Sequence, residues 1–305
     1  MGVSFTFTAV SDTKGLAQEQ VNAGIEEVIR IEKLISSWDE KSQTSQINNS
    51  AADQAVQVDL ELISLIKRAK QVRKITNGHF DIRVIPLINL WGFQTEKSLT
   101  KIPTEEEIKR TKKLVHGSEI IIDDKNQTVF LPQRGMKIGF GSIGKGYAAD
   151  MAKIKMEALG AYSGVVNAGG DVLCWGSKPD ESPWTIGIAD PKDKNDIIAW
   201  LDISDAAVVT SGDYEKFVTI DGTDYCHIID AISGKPVINM SSVTIICASA
   251  EAADALATSV FILGKEEGLE LINHLNDIEC IIIDENQEMY FSDNLNEKYI
   301  FVTHE

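Results

Sequence analysis

Positive charge is scarce in this sequence of 305 residues. Lysine and arginine together number 29, against 46 aspartates and glutamates, which gives a formal net charge of −17. An acidic protein repels nucleic acid and anionic lipid at long range, because such partners are bound mainly through their phosphates. We therefore expect no nucleic-acid partner. An anionic ligand would need a local device such as a metal ion, a helix N-terminus or an isolated lysine.

Cysteines and long apolar runs are scarce as well. The four cysteines lie far apart, with no CxxC pair and no histidine at zinc-finger spacing, so we expect no structural zinc site. The sequence neither requires a disulfide framework nor excludes one disulfide bridge. No apolar run reaches the roughly 18 residues that a membrane span needs. No export signal precedes Val3, so we expect that any such signal was removed or never existed.

Glycine and proline are too few for a collagen-like or low-complexity chain, and no internal repeat is visible. Hydrophobic residues make up 43% and charged residues 25%, which is typical of a folded protein with a sizeable core. Apolar spacing predicts helices at 59–75, 250–263 and 266–275, a helix that follows the glycine-rich turn at 139–146 and runs through 159, and short strands that include 163–166, 225–229 and 243–247. Because the strands come in runs with helices between them, the sequence predicts an α+β fold rather than a doubly wound Rossmann fold.

A glycine-rich segment at 139–146 is the strongest local signal. It matches both GxGxxG and GxxxxGK, but Gly146 stands where a phosphate-binding loop needs Ser or Thr. A glycine turn that opens a helix directs backbone N–H groups and the positive end of the helix dipole toward a phosphate, and Lys145 adds charge. The segment therefore predicts either phosphate or flavin contact or a tight turn.

Asp254 and Thr258 form a second signal, on the helix predicted at 250–263. Their spacing of i and i+4 places both oxygens on one helix face. A carboxylate and a hydroxyl, with a backbone carbonyl from elsewhere, suit Mg²⁺. In the alternative interpretation Asp254 caps the helix or is solvated, and Thr258 bonds back to a carbonyl of its own helix.

His227 lies in the strand predicted at 225–229, where it would share a face with Ile229 and could act as a general base. A lone histidine on a strand is more often structural. The segments 210–214 and 167–171 are interpreted as turns, and Trp38, Phe80 and Trp91 as core aromatics.

Taken in order, the motifs of this chain resemble the FAD:protein FMN transferase family, also called the ApbE or flavin transferase family. The resemblance covers nearly the whole chain. It is carried by Met1-Gly2-Val3, Trp38-Asp39, Gly78-His79-Phe80-Asp81, Leu90-Trp91-Gly92-Phe93, Gly144-Lys145-Gly146-Tyr147, Asn167-Ala168-Gly169-Gly170-Asp171, Ser211-Gly212-Asp213-Tyr214, His227-Ile228-Ile229-Asp230 and Asp254-Ala255-Leu256-Ala257-Thr258.

The resemblance implies a fold and an activity. The fold would be ApbE-like, a T-fold-like arrangement of mixed sheets with packed helices, in which residues 1–305 form one domain or two closely packed subdomains. The activity would be a magnesium-dependent cleavage of FAD that moves FMN to a Thr or Ser hydroxyl of a target protein and releases AMP. The same residues also suit an FAD pyrophosphatase, and a flavin-binding protein without turnover is the third alternative.

The resemblance also assigns residues. His227 would be the catalytic base, and Gly139 stands where many members have an Asp that contacts FAD. The metal ligands would be Ser142, Asp254 and Thr258. The positions assigned to FAD binding are Met1, Trp38, His79, Phe80, Asp81, Gly139, Lys145 and Ile229.

Location and partners come from the resemblance alone. Family members are exported, often lipid-anchored proteins of the bacterial cell envelope, which implies a location at the periplasmic face of the inner membrane. The protein partner would be an acceptor with a flavinylation site, such as a subunit of a respiratory redox complex or another flavinylated envelope protein.

Overall fold

The helices and strands are taken from a computed structural model that describes residues 2–93, 101–193, 196–214, 217–220, 222–295 and 300–303. The helices are α1 (Lys14–Ile35), α2 (Gln43–Asn49), α3 (Leu60–Ile75), α4 (Ile85–Leu90), α5 (Glu105–His116), α6 (Gly144–Ala158) and α7 (Ala250–Asn273). The strands are β1 (Phe5–Val10), β2 (Val56–Gln57), β3 (Ile121–Asp123), β4 (Thr128–Phe130), β5 (Ser163–Ala168), β6 (Asp171–Trp175), β7 (Trp184–Ala189), β8 (Ile197–Ile203), β9 (Ala206–Gly212), β10 (Phe217–Ile220), β11 (Thr223–Cys226), β12 (Met240–Cys247), β13 (Glu279–Asp284), β14 (Met289–Phe291) and β15 (Ile300–Thr303).

The chain divides into two compact units. The first unit contains residues 1–31, 143–212 and 240–305, and the second contains residues 32–142 and 213–239. Each unit is built from separate stretches of sequence, so neither unit corresponds to one continuous part of the chain.

A seven-stranded sheet forms the centre of the first unit, in the order β1-β5-β6-β9-β12-β13-β14. Every neighbouring pair in it is antiparallel. A doubly wound fold would have a mostly parallel sheet, so the predicted α+β class is confirmed.

Both faces of this sheet are covered. All eight residues of β12 are buried, which a central strand achieves only when each face packs against another layer. Helix α7 packs on β9 and β12. A separate apolar cluster joins the sheet to the three-stranded sheet β15-β8-β7 through buried side chains that include Val208, Ile246 and Leu201.

The second unit combines short helices with two small sheets, β2-β4-β3 and the hairpin β10-β11. Helix α5 begins with a capping box in which Thr104 and Glu107 each bond the other's backbone N–H, as its acidic first turn suggests. An apolar cluster that includes Leu87, Trp91, Ile108 and Ile229 packs helices α4 and α5 against the chain that follows β11.

Several local predictions were wrong. The strand predicted at 225–229 ends at Cys226, so His227 and Ile229 do not share a strand face. The segment around Thr210 and Ser211 is not a turn but the end of β9, where both residues pair with β12. Helices α2 and α4 and strand β6 were missed. The two helices predicted after 250 are confirmed as the two parts of α7, which are separated by a non-helical Gly264.

No helix within the described ranges is both long and apolar enough to cross a membrane.

We predict that Gly146→Ala destabilises the first unit. A Cβ at position 146 would lie 1.9 Å from the backbone oxygen of Ala250, so α6 and α7 would have to separate. We expect the free energy of unfolding to fall by about 2–3 kcal/mol, although alanine is the better helix former. Urea unfolding followed by circular dichroism measures this.

The matched control is Gly141→Ala, because nothing lies within 4 Å of a Cβ at position 141. Equal losses of stability in the two variants would contradict the close helix contact.

Candidate functional site

Helices α6 and α7 meet at a contact that explains why the glycine-rich segment continues to position 146. The second helix begins where Asp150 of α6 accepts hydrogen bonds from the backbone N–H groups of Ala250 and Glu251, at 2.9 and 3.0 Å. Asp150 also accepts a 2.8 Å bond from the hydroxyl of Ser249, the N-cap of α7. The start of α7 is therefore fixed to α6, and Gly146 allows the close approach.

Asp254 is buried at this contact, with only 1% of its surface exposed. Its Oδ2 accepts a 3.0 Å hydrogen bond from the backbone N–H of Gly146, and its Oδ1 accepts a 2.9 Å bond from the Nζ of Lys145. Because Ser249 is the N-cap and Asp254 lies a turn further along, the alternative in which Asp254 caps the helix or is solvated is wrong.

Asp171 joins the same group of charges. It is the first residue of β6 and is 4% exposed. Its Oδ2 lies 3.1 Å from the Nζ of Lys145, and its Oδ1 accepts a 3.2 Å bond from the backbone N–H of Thr210. The Lys145 ammonium is therefore held between two buried carboxylates. Sequence reasoning missed this role of Asp171, although an aspartate at the head of the apolar run 172–175 was a usable signal.

Hydroxyl groups line the adjoining part of the first unit. The Oγ1 of Thr258 lies 3.4 Å from the Oγ of Ser211, and the Oγ1 of Thr210 lies 2.8 Å from that of Thr244. Thr258 is on the same face of α7 as Asp254, as the i, i+4 spacing predicted. A carboxylate and hydroxyls thus come together on the first unit.

This donor set fits a hard cation. Asp254 and Thr258 offer only oxygen ligands, which Mg²⁺ prefers, and Mg²⁺ keeps several coordination positions for water and substrate phosphate. The described residues contain no group of three or more His, Cys, Asp or Glu side chains placed to hold a metal. The ligand set expected from the sequence contains a single carboxylate and would not form such a group.

His227 follows β11 in the second unit and is partly exposed. The residues after it, Ile228 and Ile229, are 6% and 4% exposed, and Ile229 makes an isolated antiparallel bridge to Pro236. His227 is therefore carried by a short segment that is fixed by burial of its neighbours.

The four cysteines are free and buried, so none of them forms the disulfide that the sequence left possible. Burial raises the pKa of the Cys226 thiol, next to His227 in sequence, to about 11. That thiol is therefore not a nucleophile near neutral pH.

Asp230 organises the turn that follows His227. Its Oδ1 accepts bonds from the Ile232 N–H and lies 2.9 Å from Nδ1 of His79, and its Oδ2 accepts from the Ser233 N–H. The backbone of the turn closes with the N–H of Gly234 donating to the Asp230 carbonyl, at 2.8 Å, while Gly234 has a positive φ of 78°. His79 is thus placed against the segment that carries His227, and its contact with FAD stays a prediction.

Phe80 and Asp81 are interior residues of the second unit, 1% and 5% exposed. The Asp81 carboxylate accepts from the guanidinium of Arg83, which is also buried, and from that of Arg73, with shortest distances of 2.7 and 2.8 Å. Burial alone would lower the pKa of Arg83, but the hydrogen bonds and charge of Asp81 outweigh it and raise that pKa. Asp81 therefore holds this interior together, and its predicted FAD contact remains a prediction.

The remaining predicted positions differ in their surroundings. Trp38 is 66% exposed, so it is not the core aromatic expected from composition. A Cβ at position 139 would lie 2.5 Å from the Cδ1 of Ile85, so Ile85 fills the space that a side chain there would need. Ser142 is the last residue before the first unit resumes at Ile143, and its role as a ligand stays a prediction. Met1 lies outside the described residues.

Comparison with known proteins decides the family. The model of the ApbE family matches residues 1–282. The chain belongs to the ApbE family. The family predicted from the ordered motifs is therefore confirmed, and with it the expectation of an enzyme of the flavin transferase class.

Individual members of the ApbE family are similar over most of their length. A FAD:protein FMN transferase from Klebsiella pneumoniae is 32% identical over 267 residues, which are 86% of this chain and 81% of the relative. The ApbE protein of Thermotoga maritima has a crystal structure that matches with a TM-score of 0.90 and 34% identity, covering 97% of this chain and 96% of that one. The flavin transferase ApbE from Vibrio cholerae matches with a TM-score of 0.83 and 27% identity, over 97% and 96% of the two chains.

We predict that Asp81→Asn lowers stability, because it removes the nearest carboxylate from the buried guanidinium of Arg83 and leaves only Glu119, whose Oε1 lies 3.4 Å from Nη1. Removing one partner of a buried ion pair costs about 3 kcal/mol. Urea unfolding measures the loss. In the control Asp124→Asn, the exposed ion pair with Lys67 is lost, and the free energy of unfolding should hardly change. If the two variants were equally stable, the interior role of Asp81 would be wrong.

Proposed function

We propose that this protein transfers FMN from FAD to a Thr or Ser hydroxyl of a target protein, with Mg²⁺ as cofactor and AMP as the second product. The observation that carries the proposal is the buried carboxylate of Asp254, held by Lys145 and by the backbone N–H of Gly146 at the start of α6. This group combines an anion-binding helix end with a ligand for a hard cation, in a chain of the ApbE family.

The start of α6 is the part of the first unit suited to the FAD pyrophosphate. The first backbone N–H groups of a helix lack partners within the helix, and the helix dipole is positive there. Lys145, the second residue of α6, adds a cation that is only 20% exposed. Because Lys145 is already paired with Asp254 and Asp171, a bound Mg²⁺ together with the N-terminus of α6 would supply the positive charge that phosphate binding needs in a protein of net charge −17.

The residues that would hold Mg²⁺ are Asp254, Thr258 and Ser142. The first two are together on the first unit, and Ser142 is assigned by family resemblance. A bound Mg²⁺ supplies positive charge against the oxygens of the phosphoryl group during transfer. Asp254 contributes the one anionic ligand, and the helix contact with Gly146 fixes its direction.

The transfer itself is a displacement at phosphorus. The oxygen of the acceptor hydroxyl forms a bond to the phosphorus of the FMN half, and the bond from that phosphorus to the bridging oxygen breaks, so AMP leaves with the bridging oxygen. His227 takes the proton of the hydroxyl, since an alcohol is a weak nucleophile near neutral pH without a base. The buried side chains of Ile228 and Ile229 fix the backbone that carries His227.

We propose, from the family resemblance, that the acceptor is a flavinylated protein of the bacterial envelope, such as a respiratory complex subunit, and that the enzyme acts at the periplasmic face of the inner membrane. Cell fractionation with an antibody against this chain tests the location. Recovery in the cytosolic fraction alone would contradict it.

The decisive assay incubates the protein with FAD, Mg²⁺ and an acceptor domain that bears an Asp-Gly-x-Ser/Thr-Gly-Ala-Thr site, and then measures intact masses and AMP. We expect an acceptor heavier by one FMN, an equal amount of AMP, and no product when EDTA removes the metal. An acceptor whose target hydroxyl is changed to alanine is the control. Free FMN and AMP with an unmodified acceptor would indicate a pyrophosphatase, and no AMP would indicate a flavin-binding protein.

We predict that His227→Ala lowers kcat/KM for transfer by about 10²- to 10⁴-fold, the usual contribution of a general base, while FAD affinity changes little. AMP release gives the rate, and flavin fluorescence gives the affinity. His274→Ala is the matched control, because His274 is an exposed histidine at the end of α7. Equal losses in transfer and in FAD affinity would make His227 a binding residue instead.

A further inference from the structure

The Lys145 ammonium contacts two carboxylates, one on α7 and one at the start of β6. Its Nζ lies 2.9 Å from Oδ1 of Asp254 and 3.1 Å from Oδ2 of Asp171. The two carboxylates are 1% and 5% exposed at the side chain, whereas the lysine side chain is 20% exposed. One cation, on a side chain more exposed than its partners, therefore bridges two anions that are buried in the first unit.

Each carboxylate is fixed by a backbone group through its other oxygen. Asp254 accepts from the N–H of Gly146 on α6, and Asp171 accepts from the N–H of Thr210 on β9. Neither carboxylate can turn away without losing a hydrogen bond in a buried place, which is costly. The lysine, with its flexible stem, is the member of the group that can move.

The ammonium and a divalent cation would compete for the same carboxylate, Asp254. Under the function proposed above, Asp254 ligates the metal, but its Oδ1 already accepts from Lys145 and its Oδ2 from Gly146. An ammonium that stayed on the same oxygen would repel a divalent cation at short range in a buried site. An ammonium that left Asp254 with no other carboxylate beside it would be an uncompensated charge on a side chain that is only 20% exposed.

We propose that Asp171 is a positioning residue that retains the Lys145 ammonium when a divalent cation takes Asp254. This inference rests on the proposed function, and it assigns Asp171 an effect on cation affinity without making it a ligand. Asp171 already contacts the ammonium, at 3.1 Å, so the lysine keeps one carboxylate partner when it leaves Asp254 and does not enter solvent. The ammonium also remains beside the start of α6, where the pyrophosphate of FAD would bind.

The test is a double-mutant cycle on Mn²⁺ binding to FAD-free protein, measured by electron paramagnetic resonance. Asp171→Asn should weaken Mn²⁺ binding about tenfold, because Lys145 then pairs with Asp254 alone. Lys145→Met should strengthen it, because the competing cation is gone. In the Lys145→Met background, Asp171→Asn should change the affinity by less than about twofold.

Asp205→Asn is the matched control for the loss of one negative charge. Asp205 is exposed, belongs to the same unit and has a positive φ of 53°, which asparagine tolerates. Its effect on Mn²⁺ affinity should be negligible, and melting temperatures report whether each variant folds.

Other results would overturn the inference. Equal losses from Asp171→Asn in both backgrounds would make Asp171 a ligand or a purely electrostatic contributor. If Asp171→Asn fails to fold, Lys145→Met alone still decides, since unchanged or weaker Mn²⁺ binding in that variant contradicts competition by the lysine. Failure of wild type and Lys145→Met alike to bind Mn²⁺ would overturn the metal assignment of the proposed function together with this inference.

Discussion

The fixed position of the Asp254 carboxylate is the constraint on which the rest of the candidate site depends. Its two oxygens are held from consecutive residues, Lys145 and Gly146, at the start of α6. That arrangement requires α6 and α7 to pack in close contact. The close contact requires a residue without a Cβ at position 146. Asp150 completes the contact by bonding the first N–H groups of α7. Helix packing therefore explains the positions of Lys145, Gly146 and Asp150 along α6. The same packing fixes the Asp254 carboxylate that the proposed function uses.

A second carboxylate gives the other unit its order. Asp230 accepts from two backbone N–H groups of its own turn and from His79, and so fixes the segment that follows His227. In both units, one aspartate satisfies several donors at the place where a reactive group must be held. Such a carboxylate is costly to bury and is stable only when its partners are complete. Each of these carboxylates is stable because its donors are complete, including Asp254 at the site proposed to bind metal.

Local patterns predicted what local forces determine. The α+β class, helix α7 and the shared face of Asp254 and Thr258 follow from the order and periodicity of the apolar residues. The failures have tertiary causes. Thr210 and Ser211 resemble turn residues, but pairing with β12 places them in a strand. His227 leaves the predicted strand because the Asp230 turn follows it, and the role of Asp171 depends on a lysine distant in sequence. The family resemblance supplied site assignments that spacing alone could not.

The most direct test of the central claim is a crystal structure of the protein with Mn²⁺ and FAD, with anomalous diffraction locating the metal. The account predicts an anomalous peak about 2.2 Å from a carboxylate oxygen of Asp254 and from Oγ1 of Thr258. It also predicts density for the FAD pyrophosphate at the N-terminus of α6. A metal bound elsewhere, with Asp254 still paired to Lys145 and the pyrophosphate away from α6, would contradict it.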